Sequence, residues 1–139
     1  MLLFCSCSKS KSSNILTGAW DQMDQISQYV NPYTQKTEYD TLAGNSFSIE
    51  FKNDGTFFIN GNKDGTYTLS GNTSFSLKPL GNSSTYFYTT YNIVSIGNSL
   101  LKARRDGHSG EQKKVSDPNM QGMFMYADIQ YVFNDYHKE

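Results

Sequence analysis

Period-two alternation of apolar and polar residues, cut at short intervals by turn sequences, is what most restricts how this chain can fold. Phe47, Ile49 and Phe51 fall on one face of an extended segment, while Ser46, Ser48, Glu50 and Lys52 fall on the other. That is the mark of a strand with one side buried. Phe57 and Ile59, then Tyr67 and Leu69, then Phe75 and Leu77 repeat the pattern, with Phe58 as an apolar residue on the polar face. Asn53-Asp54-Gly55, Asn62-Lys63-Asp64-Gly65, Gly71-Asn72 and Gly81-Asn82 separate the runs. In each, a Gly or Asn can take the positive φ that a tight hairpin demands. A longer strand is expected over residues 85–96, with Tyr86 and Tyr88 on one face against Phe87, Tyr91 and Ile93 on the other. Gly97-Asn98 turns it into residues 99–105, which Asp106-Gly107 ends. Residues 16–29 and 123–133 complete the set, the latter with Met123, Met125, Ala127, Ile129, Tyr131 and Phe133 sharing a face.

No helical stripe of useful length competes with these strands. Aromatic residues make up 14% of the chain and sit among Ser, Thr, Asn and Gly rather than among helix formers, so the fold class is all-β. At 139 residues the chain fits one domain with one core. Antiparallel strands with one apolar face either stack as two sheets or roll into a barrel, and closure removes the exposed edges. About eight strands close a small barrel, so the expectation is an antiparallel up-and-down β-barrel over residues 15–139. Twelve Lys and Arg against thirteen Asp and Glu leave a net charge of -1, which gives no summed basic field and argues against a nucleic-acid partner.

The N-terminus differs in kind. Residues 1–11 read MLLFCSCSKSK, an apolar stub, two cysteines, then alternating Ser and Lys. The stub resembles the lipobox of bacterial lipoproteins, in which a small residue precedes the cysteine that is lipidated. Ser6 before Cys7 fits that pattern, whereas Phe4 before Cys5 is too bulky; Phe4 also stands where the lipobox more often has Leu. The resemblance implies that residues 1–14 are a truncated lipoprotein signal peptide and tether, with Cys7 as the anchor and Cys5 in the leader. It further implies a cell-envelope location, at the outer membrane, held by several acyl chains. The alternatives are a pair of ordinary thiols or a Cys-x-Cys metal site. The second lacks further ligands, since no other Cys exists and His108 and His137 lie far along the chain.

Gly18-Ala19-Trp20 resembles the Gly-x-Trp signature of lipocalins, and Phe51-Lys52-Asn53-Asp54-Gly55-Thr56-Phe57 is similar to the hairpin of lipocalin-like domains in lipoproteins of Bacteroidetes-type bacteria. Gly65-Thr66-Tyr67 opens the following strand as those domains often do. The resemblance implies a lipocalin-like barrel with Trp20 plugging its closed end and the long polar stretch 21–45 as a lid over the mouth. The candidate interior is Trp20, Phe47, Ile49, Phe51, Phe57, Ile59, Tyr67, Leu69, Phe75 and Leu77. These residues either fill the barrel or line a cavity for a small apolar or amphipathic ligand. A buried Tyr in place of Leu leans toward the cavity, because its phenol needs a partner that a ligand or water could supply. The alternative is a filled barrel whose outer face and loops dock a protein or a glycan in the envelope.

Titratable groups give little support for catalysis. Asp54, Asp64 and Asp106 precede Gly at turns, where a carboxylate bonds local backbone N-H groups. Glu50 and Lys52 read as a solvated pair, and Glu111, Lys113, Lys114 and Asp117 as parts of a solvated loop over residues 106–122. No nucleophile-elbow, phosphate-loop or zinc-protease motif is present, so no catalytic residue, metal or cofactor is expected.

Overall fold

The computed structural model describes residues 13–44, 47–81 and 89–139. Cys5, Ser6, Cys7, Tyr86, Phe87 and Tyr88 lie outside the described residues. The described residues form ten strands: β1 (Gly18–Val30), β2 (Thr37–Ala43), β3 (Ser48–Phe51), β4 (Thr56–Ile59), β5 (Asn62–Ser70), β6 (Ser74–Pro79), β7 (Thr89–Ile96), β8 (Leu100–Asp106), β9 (Gln112–Ser116) and β10 (Phe124–Lys138). Eight of them, β1 and β3 to β8 with β10, follow one another antiparallel around a closed up-and-down barrel, and β10 returns to β1. The other two are additions. β2 pairs with the second half of β1, and β9 pairs with the first residues of β10.

This corrects the reading of residues 21–45 as a loop, because β1 continues to Val30 and β2 follows it. The inward positions along this part of β1 include Gln22 and Gln25, so no apolar stripe announces the strand. Its backbone is nevertheless held on both sides, by β10 and by β2. The loop expected over residues 106–122 likewise contains β9.

One end of the barrel is tightly closed. Trp20 and Leu16 are fully buried, and the Trp20 indole Nε1 donates to the Leu16 carbonyl at 2.8 Å. Lys138 sits opposite Trp20 on β10 with its ammonium 5.3 Å from the ring centroid. The Asn14 Oδ1 accepts from the Leu16 and Thr17 amides, and its Nδ2 donates to the Tyr67 hydroxyl at 2.8 Å. That hydroxyl donates to the Lys52 carbonyl at 2.7 Å. Tyr67 therefore finds both of its partners in the protein and asks nothing of a ligand. Above this layer Phe51 meets Tyr67 and Phe75 edge-on, with centroids 4.9 and 5.6 Å apart, and Phe75 stacks on Tyr91 at 5.1 Å.

Four extra residues interrupt the ladders: Met23 on β1, Asp64 on β5, Val94 on β7 and Gln130 on β10. Each shifts the alternation by one position. On β10 the buried position before the bulge is Ala127, and after it they are Val132, Asn134 and Tyr136. Tyr131 and Phe133 consequently take the outer face, where the Arg104 guanidinium lies 4.6 Å from the Tyr131 ring. The expectation that residues 123–133 share one face fails at Gln130 for this reason. Phe58 does lie outside, with Lys52 over its ring at 5.5 Å.

Beyond the barrel, Tyr29, Val115 and Ala127 form a second small core with Tyr33 against it, and Lys113 pairs with Asp40 between β9 and β2. The connections carrying β2 and β9 both lie at the end opposite Trp20, and they border the mouth.

Candidate functional site

The mouth half of the barrel is not filled. A cavity of about 420 Å³ lies there, within the size range of small-molecule sites. Phe47, Ile49, Ile59, Leu77 and Tyr91, from β3, β4, β6 and β7 and the residue before β3, form an apolar wall. Gln22 and Gln25 from β1, Arg105 from β8, His108 just after it, and Asn134 and Tyr136 from β10 form a polar one. The bulge at Met23 explains how Gln22 and Gln25, three residues apart, both reach the interior.

The polar wall is internally ordered. Gln22 Nε2 donates to Asn134 Oδ1 at 3.3 Å, and Asn134 and Tyr136 share the cavity face of β10. Burial pushes the phenols of Tyr136 and Tyr91 up, so both remain neutral hydrogen-bonding groups around pH 7. The Arg105 guanidinium grips Glu111 with both terminal nitrogens, at 2.9 and 2.8 Å, and also donates to the Asp106 carbonyl at 3.1 Å. Glu111 accepts a further bond from the His108 amide at 3.0 Å. The bond from Arg105 is the largest cause holding the Glu111 carboxyl at about 2, against the opposing effect of burial. Glu111 is thus ionised and committed to Arg105, which corrects its placement in a solvated loop.

Of the interior residues read from the sequence, Phe47, Ile49, Ile59 and Leu77 line the cavity. Trp20, Phe51, Phe57, Tyr67 and Phe75 are buried in the main core, with Leu69 partly buried against it. Filling and cavity therefore coexist at different heights in one barrel. The polar wall was missed. Arg105 could have been found, since it continues the inward alternation of Leu101 and Ala103. Gln25, Asn134 and Tyr136 could not, because the bulges at Met23 and Gln130 set their facing.

The turn carboxylates behave unevenly. Asp54 accepts from the Thr56 amide at 3.0 Å and hydroxyl at 2.6 Å, as a turn carboxylate should. Asp64 instead sits at the β5 bulge with Oδ2 buried and without a partner among the described residues. Glu50 and Lys52 form a half-exposed ion pair. Among the described residues no group of three or more His, Cys, Asp or Glu is placed to hold a metal ion. A different kind of surface lies at the β9–β10 hairpin, where Met120, Met123, Phe124, Met125 and Tyr126 are all about half exposed and Lys114 stands 3.7 Å from the Phe124 ring.

Comparison with protein-family models, with curated proteins and with solved structures finds no match. The barrel rests on its strand pairing, and the site on its own geometry.

Proposed function

We propose that this protein is a lipocalin-like binder of a small apolar or amphipathic molecule, held in the cell envelope, at the outer membrane, by a lipid on Cys7. The two-sided cavity carries the reading. An apolar wall facing a row of amides and phenols suits a molecule with an alkyl or aromatic body and one polar end. Binding rather than catalysis fits the chemistry, since the Arg105 guanidinium and the Glu111 carboxylate are spent on each other.

Thermal unfolding in the presence of octanol tests the site. A ligand that binds only the folded state raises the melting temperature by mass action. The wild type should show a saturable rise that Leu77→Trp, which fills the cavity, abolishes; equal shifts in both proteins, or none, would count against the interior site. The anchor is tested separately by labelling cells with a fatty-acid analogue. Label is expected on the wild type and on Cys5→Ser but not on Cys7→Ser, and label surviving in Cys7→Ser removes the anchor.

The exposed apolar tip of the β9–β10 hairpin favours a second reading, docking of an envelope protein or glycan. Trimming residues 117–122 should then abolish partner capture by the intact protein while leaving octanol binding in place. Retained capture would rule the tip out.

A further inference from the structure

Among the described residues that line the cavity, Arg105 is the one Lys or Arg, and Glu111 already occupies both of its terminal nitrogens. What remains to meet a ligand's polar end carries no permanent charge: the amides of Gln22, Gln25 and Asn134, the phenols of Tyr91 and Tyr136, and the His108 imidazole. The Gln25 side chain makes no hydrogen bond among the described residues, and an amide both donates and accepts. We propose that the cavity selects uncharged amphiphiles, with a hydroxyl or amide as the polar end, and rejects alkyl carboxylates and alkylammonium ions, with Glu111 as the specificity-determining residue. The proposal rests on the interior binding site argued above and names the class of molecule that site takes.

The reason is the cost of a second charge. A carboxylate entering the cavity either stays unpaired in a poorly hydrated space or displaces Glu111, which then loses its own partner. Neither gives a net gain, because one partly buried guanidinium cannot neutralise two carboxylates. An ammonium end meets Arg105 while the Glu111 carboxylate is already held in a fork of two parallel bonds. A hydroxyl needs no counter-charge. The segment between β8 and β9 builds this arrangement: the His108 amide fixes the same carboxylate that Arg105 grips. Glu111 therefore holds, from beside the cavity, the guanidinium that a ligand carboxylate would seek.

Calorimetric titration of the wild type with octanol, octanoate and octylamine tests the selectivity. Octanol should bind at least about tenfold more tightly than either charged probe, a difference of roughly 1.4 kcal/mol. In Glu111→Gln the guanidinium loses its partner, so the ratio of octanoate to octanol affinity should reverse. Octanoate matching octanol in the wild type, or an unchanged ratio in Glu111→Gln, overturns the proposal while leaving the interior site standing. Failure of all three probes to bind overturns the interior site, and the selectivity with it. Should Glu111→Gln not fold, Arg105→Gln combined with Glu111→Gln serves in its place: it should keep the preference for octanol, and a double variant that takes octanoate equally well contradicts the account.

Discussion

Two side chains show how differently single residues announce themselves. Trp20 is the only tryptophan, follows Gly18 at the start of a strand, and is fully buried with its indole N-H bonded to the Leu16 carbonyl. Replacing Trp20 by Ala should cost about 3 to 5 kcal/mol, as large aromatic truncations in cores do. Urea unfolding measures this, and native emission should be blue-shifted and shielded from quenchers; red-shifted, quenchable emission contradicts the plug. Glu111, by contrast, looked like any loop carboxylate, because its partner Arg105 is on β8, six residues earlier, and only the turn between them brings the two together. Its pKa of about 2 lies below the ordinary 4.5, so it adds stability that is fully present above about 4.5 and is lost as pH falls toward 2. Unfolding measured from pH 6 down to pH 2 should show a steeper loss for the wild type than for Glu111→Gln, which starts less stable; parallel curves would mean that the pair contributes nothing.

At the level of elements, β3 to β6 were legible in both existence and facing, whereas β2, β9 and the facing of β1 and β10 were not. The runs around Phe47, Phe57, Tyr67 and Phe75 were readable because each has one apolar and one polar face, and they became β3 to β6. β1 and β10 hid their inward faces for a physical reason: a wall that meets a cavity through Gln22, Gln25 and Asn134 carries no apolar stripe. The bulges at Met23 and Gln130 then reset the alternation, and nothing in local composition marks them. Deleting Gln130 tests this directly. Without the extra residue β10 cannot present Ala127 to the small core and the Val132, Asn134 and Tyr136 set to the barrel side at once, so one of them must lose its burial. The deletion should cost more than about 3 kcal/mol or abolish the cooperative melt, whereas deleting Gln121 at the exposed hairpin tip should change the melt little. Equal behaviour of the two deletions would mean that the bulge is not what sets the facing.

Across the whole molecule the barrel divides its interior by height. The closed end is a packed aromatic layer sealed by Leu16, Trp20 and the Asn14 to Tyr67 to Lys52 hydrogen bonds. The mouth end keeps a cavity whose two walls differ in chemistry. Closure into a single up-and-down barrel followed from strand count and from the need to hide edges. The division by height did not, since it depends on which residues of distant strands share a level. The same holds for the added strands β2 and β9, whose small core joins Tyr29, Val115 and Ala127 from widely separated parts of the chain. Diffraction from crystals grown with bromo-octanol is the most direct measurement of the central claim. The account predicts a bromine anomalous peak between Phe47, Ile59, Leu77 and Tyr91, with the hydroxyl directed to the wall that holds Gln25 and Asn134. Side chains filling that space, or bromine found only on the outer surface, would contradict it.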